Sequence, residues 1–103
     1  AVDLSALYLD IVKDRLYCSA PAAPERRAAQ TALDAILDSL VRLMAPVLSF
    51  TAEEIWSALP GGAERPANVL LAGFPEARGH APELAARWER LLEVRSAVLK
   101  CLE

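Results

Sequence analysis

Two prolines, Pro46 and Pro60, constrain this chain more than any other feature, because they bracket a segment that cannot lie inside one uninterrupted helix. The residue before a proline is pushed out of the α region. The helical pattern that reaches Met44 therefore has to stop, and a new helix has to begin. Thr51, followed three positions later by Glu54, predicts a capping box at that start, and Phe50 and Ile55 stand where a hydrophobic staple joins N′ to N4. The new helix is expected to run through Trp56 and Leu59 and to stop at Pro60-Gly61-Gly62.

The flanking segments keep a helical period. Over residues 3–17, Leu4, Leu7, Tyr8 and Ile11 share one face, widened by Leu9, Val12 and Leu16, with Asp3 or Ser5 as a weak cap. The string CSAPAAP breaks that pattern and reads as a loop. A second helix is expected from about Pro24 to Met44, with proline and Glu25 suited to its first turn. Its apolar stripe is Ala29, Ala32, Leu33, Ile36, Leu40, Leu43 and Met44; Arg27, Gln30, Thr31, Asp34, Asp38 and Arg42 form the opposite, polar face. Asp38 and Arg42 stand one turn apart and can pair. From Glu83 onward Leu84, Trp88, Leu91, Leu92, Val98, Leu99 and Leu102 make another long stripe, and both Trp56 and Trp88 are expected in the core. Between 60 and 82 the one apolar run, Val69-Leu70-Leu71, reads as a short strand or extended packing piece.

Twenty Ala and seventeen Leu against seven Val and three Ile favour helix over sheet. The expected fold is all-α: a bundle of three long helices and one short helix, with a short extended segment near 69–72. Residues 1–103 read as a single domain. Ala1 at the start and Glu103 at the end of a helical run with no stop signal predict that it is cut from a longer chain. The apolar surface such a cut exposes predicts self-association of the fragment. No apolar run approaches a membrane span and no signal peptide opens the chain, which predicts a cytoplasmic protein without a membrane partner. Cys18 and Cys101 lie far apart with no CxxC and no nearby His, so they read as ordinary thiols in a reducing compartment, not as zinc ligands.

Catalytic constellations are nearly absent. His80 sits in an inter-helix loop with no signalled partner, Gly61-Gly62 punctuate a helix end, and Glu53 and Glu54 are better explained by a helix first turn than by acid–base chemistry. Eleven basic residues against fourteen acidic ones, net −3, argue against a free-standing nucleic-acid binder while leaving room for a local patch. The basic residues cluster where the first helix ends and the second begins: Lys13, Arg15, Arg26 and Arg27, with Tyr17 and Gln30 beside them. Cations around an aromatic can hold a phosphate backbone and stack a base; Asp10, Asp14 and Glu25 nearby equally suit a solvated corner. Arg15 and Arg95 fall within the apolar faces of their helices, so each is either a paired or snorkelling arginine or a cation presented to RNA.

The string RLMAPVLSFTAEEIWSALPG (42–61) resembles the helical anticodon-binding domain of class I aminoacyl-tRNA synthetases for aliphatic amino acids. YLDIVKDRLY (8–17), RRAAQTAL (26–33), VLLAGFP (69–75) and RWERLLEVRSAVLKCLE (87–103) are similar, in order, to the bacterial isoleucyl branch. The resemblance implies a parent ligase that attaches isoleucine to its tRNA using ATP with magnesium and that carries zinc in a C-terminal element. It implies no catalytic site and no cofactor in these residues. There is one His and no lysine pair beyond the isolated Lys13 and Lys100, so the parent's nucleotide-binding signatures are missing. The implied partners are the isoleucine-accepting tRNA and neighbouring synthetase domains, and the expected tRNA-facing residues are Lys13, Arg15, Arg26, Arg27 and Gln30. The alternatives are a structural bundle bracing its neighbours, or the equivalent domain of a valyl- or leucyl-type enzyme.

Overall fold

The computed structural model describes residues 4–61, 65–77, 79 and 81–102. Asp3, Gly62, His80 and Glu103, each singled out above, lie outside them. A π-helical turn, Leu4–Tyr8, leads into α1 (Leu9–Ile11) and, past Val12, α2 (Lys13–Tyr17); α3 spans Pro24–Met44, α4 Ser49–Ala58 and α5 Pro82–Leu102, with a 3-10 turn at Val69–Ala72. Among the described residues there is no strand, and the all-α class holds.

Proline opens α3 as expected, but before Pro46 the expected departure from the helical region does not occur: Ala45 stays helical, at φ −52° and ψ −40°. Ala23 is extended and Pro24 opens the helix. At the other end the amides of Val47 and Leu48 both donate to Met44 O, at 2.9 and 2.8 Å. Leu48 then leaves the helical region, and Ala52 N–H to Leu48 O begins the next ladder at once. α4 therefore starts at Ser49, earlier than the capping box requires. Thr51 lies inside the helix, Leu48 makes no side-chain cap, and Ser49 Oγ turns back to donate to Ala45 O at 2.8 Å. The staple fails too, since Phe50 is 94% exposed. With only Ala45, Pro46, Val47 and Leu48 between the helices, the turn is too tight to present Thr51 as a cap.

That tight turn folds α4 back on α3, and the core forms between them: Val41, Ala45, Ala52, Trp56 and Val69, with Ile55, Leu59 and Ala72 packed around it. Two alanines at the crossing let the backbones approach closely. Burial of a side chain such as Val41 contributes about 1.5–3 kcal/mol. A second contact joins α2 to α3, where Val12 and Ala29 are buried; Ile11 and Leu9, expected on that face, are exposed.

Three expectations about faces are corrected. The buried edge of the C-terminal half of α3 runs through Val41 and Ala45, while Leu40 and Leu43 are exposed, so Asp38 and Arg42 turn half-buried toward Trp56. Val69–Ala72 is a 3-10 turn, not an extended piece. Among the described residues no strand offers it a ladder, and Asn68 closes it instead: its side chain accepts from Leu70 N–H at 2.9 Å and its carbonyl from Leu71 N–H at 3.1 Å. Finally, α5 contributes no buried residue, and Trp88 is exposed. Among the described residues α5 packs closely against no other element. The radius of gyration, 16.8 Å, accordingly exceeds the roughly 13 Å of a compact chain of this length.

Candidate nucleic-acid interface

The α2–α3 corner brings the predicted cations to one end of the molecule but does not leave them equally available. Arg26, half-buried, donates from Nη1 to Ser19 O at 3.0 Å and so closes the loop between the two helices; its Nε is buried without a partner among the described residues. Lys13 Nζ lies 2.8 Å from Asp10 Oδ1 in an exposed pair. The hydrogen bond from Lys13, and then its charge, hold the Asp10 carboxyl below the ordinary carboxylate range; Asp10 in turn raises the Lys13 ammonium. Arg15, Arg27, Gln30 and Tyr17 are exposed. Arg95 is also exposed, near enough to Asp10 to add to the lowering of its carboxyl. Neither Arg15 nor Arg95 is therefore a buried ion pair. Arg27 and Gln30 share a shallow groove with Thr31 and Asp34, in which Thr31 Oγ1 donates to Arg27 O at 2.9 Å.

A second polar constellation escaped the sequence reading. Trp56 donates its indole N–H to Pro66 O at 3.0 Å, holding Pro66 against α4. That brings the Arg65 guanidinium to 5.0 Å from the Trp56 ring centroid, with Arg42 at 5.7 Å. Contacts of this kind contribute about 0.5–2 kcal/mol each, more as water is excluded. Asp38 sits between the cations: Oδ2 is 3.3 Å from Arg42 Nε, off the line of a hydrogen bond, and Oδ1 is 4.0 Å from Arg65 Nη2. Arg42 Nε and Arg65 Nη1 are buried and make no hydrogen bond among the described residues. Glu53, read as a first-turn residue, instead accepts the Val69 amide at 3.0 Å and fastens the 3-10 turn to α4. The Asp38/Arg42 spacing and the need of a buried indole for an acceptor were the signals available; the approach of Arg65 was not signalled.

Among the described residues there is no group of three or more His, Cys, Asp or Glu side chains placed to bind a metal ion. Among them, too, no helix is long and apolar enough to cross a membrane.

The family model described as the anticodon-binding domain of tRNA ligase matches residues 1–103. Similar curated proteins include the isoleucine–tRNA ligases of Moorella thermoacetica, 51% identical over all of this chain, and of Desulforudis audaxviator, 52% identical over 98% of it. The isoleucine–tRNA ligase of Geobacter sulfurreducens is 51% identical over 99%. In each case the chain spans 11% of the relative's length. No solved structure matches.

Proposed function

This chain belongs to the family of anticodon-binding domains of tRNA ligases, and we propose that it serves an isoleucine–tRNA ligase by binding the isoleucine-accepting tRNA while the chemistry proceeds elsewhere in the polypeptide. The observation that carries this reading is the family match across the whole chain together with relatives about half identical along it. In this reading ATP with magnesium, the zinc element and the aminoacylation site belong to other parts of the ligase, and the neighbouring domains are partners.

Within the chain, Arg15 and Arg27 are the cations best placed to meet a phosphate backbone, with Gln30 and Tyr17 beside them. Lys13 can join them at the expense of its pair with Asp10. Arg26 supports the corner through Ser19 more than it reaches out of it. Two or three exposed cations in a net-acidic module supply weak, salt-sensitive affinity, which fits a domain whose binding adds to that of others in the same polypeptide.

The test is R15E/R27E in a full-length ligase carrying this chain. tRNA binding should weaken and its salt dependence flatten, while isoleucyl-adenylate formation, followed by pyrophosphate exchange, stays unchanged. Unaltered charging kinetics would remove the RNA role of the corner. The exposed face of α5 (Leu84, Trp88, Leu91, Val98 and Leu102) favours a second reading, in which the chain also braces a neighbouring domain. Undiminished protection of α5 amides when this chain is freed from the ligase would count against that reading.

A further inference from the structure

Along α5, Leu84, Trp88, Leu91, Arg95, Val98 and Leu102 follow one another at spacings of four, three, four, three and four residues. That alternation is the seam of a left-handed coiled coil, in which each seam side chain inserts between residues of one facing helix. The apolar members are between 44% and 78% exposed, and α5 packs closely against no other element among the described residues. The opposite face, through Glu89, Glu93, Ser96 and Lys100, is polar. The seam is therefore a narrow stripe with a solvated back, the form of a helix that meets one partner helix.

Arg95 interrupts this stripe. It is exposed and makes no hydrogen bond or ion pair among the described residues. Its charge reaches Asp10, but that carboxylate is held by Lys13 at 2.8 Å. A guanidinium covered by a packed seam keeps its charge and needs acceptors across from it. A facing helix has its carbonyls taken up in its own ladder, which leaves a side-chain carboxylate to answer. A second copy of α5 has no acidic residue at any seam position, so it covers the apolar members and leaves Arg95 unanswered. A phosphate backbone answers Arg95 but leaves Trp88 and the leucines beside it in water. We propose that α5 docks an amphipathic helix from another part of the ligase polypeptide along this seam, with an Asp or Glu of that helix opposite Arg95. A single polar seam residue fixes register, so Arg95 sets which turn of the partner meets which turn of α5. The proposal rests on the bracing reading and names its partner; the chain spans 11% of the length of its relatives, and the remainder is where such a helix is sought.

The test puts the photo-reactive residue benzoylphenylalanine in place of Leu91 in a full-length ligase carrying this chain and maps the cross-linked peptide. That peptide should come from outside residues 1–103 and carry an Asp or Glu among apolar residues at the same alternating spacing. Amide exchange of α5 in the ligase then reads the charge. R95E should speed it by roughly tenfold or more, and R95K should lose far less. Reversing the identified acid to Arg should restore protection in R95E. Arg95 is exposed and bonds to nothing among the described residues, so these variants keep the domain folded. Cross-links to tRNA, to a second copy (a doubled mass on a denaturing gel) or to α1 overturn the proposal, as does an R95E ligase whose α5 exchanges no faster. If α5 is protected in the ligase but the cross-linked segment has no acid opposite Arg95, the pairing fails and the bracing reading stands. If α5 exchanges as fast in the ligase as in the freed chain, both fall.

Discussion

Replacing Glu53 by Ala tests how the 3-10 turn is held. The carboxylate accepts the Val69 amide at 3.0 Å, and Val69 is 2% exposed, so removing the acceptor strands a buried N–H beside a core residue. Hydrogen bonds to charged groups contribute about 1.5–3 kcal/mol, and an orphaned buried donor costs about 1–3 kcal/mol. Glu53 is itself half-buried, so water can reach part of the vacated site, and the lower end, about 1.5 kcal/mol, is expected. The Asn68 bond to Leu70 N–H and the burial of Val69 still hold the turn, so the loss should appear first as local opening. The Val69 amide should exchange about tenfold faster in E53A, with a matching fall in the urea midpoint followed by Trp56 emission. E53Q keeps an acceptor oxygen and should lose much less than E53A. If E53A and E53Q unfold alike, or the Val69 amide is unmoved in E53A, the clamp does not hold the turn.

Other consequences are equally direct. Gly61 has φ +148°, and a Cβ there would lie 2.8 Å from Arg65 Cδ, so G61A should cost about 1–3 kcal/mol and shift Trp56 emission as Arg65 is displaced. V41A removes two methyls from a fully buried site and should destabilise by about 2 kcal/mol in chemical denaturation. Asp10 has its folded pKa depressed, so the contribution of its pair is present above the unfolded pKa and fades as pH falls through the folded one; Lys13, raised, loses its share as pH climbs through its own folded pKa. A carbon-detected titration should place the Asp10 carboxyl below the ordinary range, and K13A should restore it. The 103-residue chain by itself should associate through the open face of α5, which a sedimentation series can read; a monomer at every concentration, or association untouched by W88E, would contradict this.

Helix ends were legible to within a few residues because they depend on local chemistry. Pro24 opens α3 where the sequence requires, whereas the break near Pro46 falls at Leu48, with Ala45 still helical, and α4 starts without the Thr51 cap. Faces were less legible because they depend on what each helix meets. The α3 period admits both a stripe through Leu40 and Leu43 and one through Val41 and Ala45. Only the hairpin made by Pro46–Leu48, which sets where Trp56 arrives, chooses the second. The same placement turns Asp38 and Arg42 from a solvated pair into the wall of a clamp. For α5 the period was read correctly, yet periodicity says that a face is apolar and not that a partner is present in the same chain.

The basic corner shows the same limit in its charges. Four cations close in sequence look equivalent, but the loop after Cys18 has polar backbone to satisfy, and Arg26 is the side chain that reaches Ser19 O. Its charge is thereby spent on architecture, as those of Arg42 and Arg65 are spent around Trp56. What remains for a polyanion is chiefly Arg15 and Arg27. Each phosphate neutralised adds close to one unit of logarithmic salt slope, so the corner's own contribution to that slope should be about two, well below the four that a count of its cations suggests. A charge reversal at Arg27 should therefore remove about half of it, whereas R26Q should act mainly through stability, lowering the unfolding midpoint while leaving the slope in place. If R26Q instead flattens the salt dependence as strongly as R27E, Arg26 leaves Ser19 to reach the RNA, and the division between supporting and contacting cations does not hold.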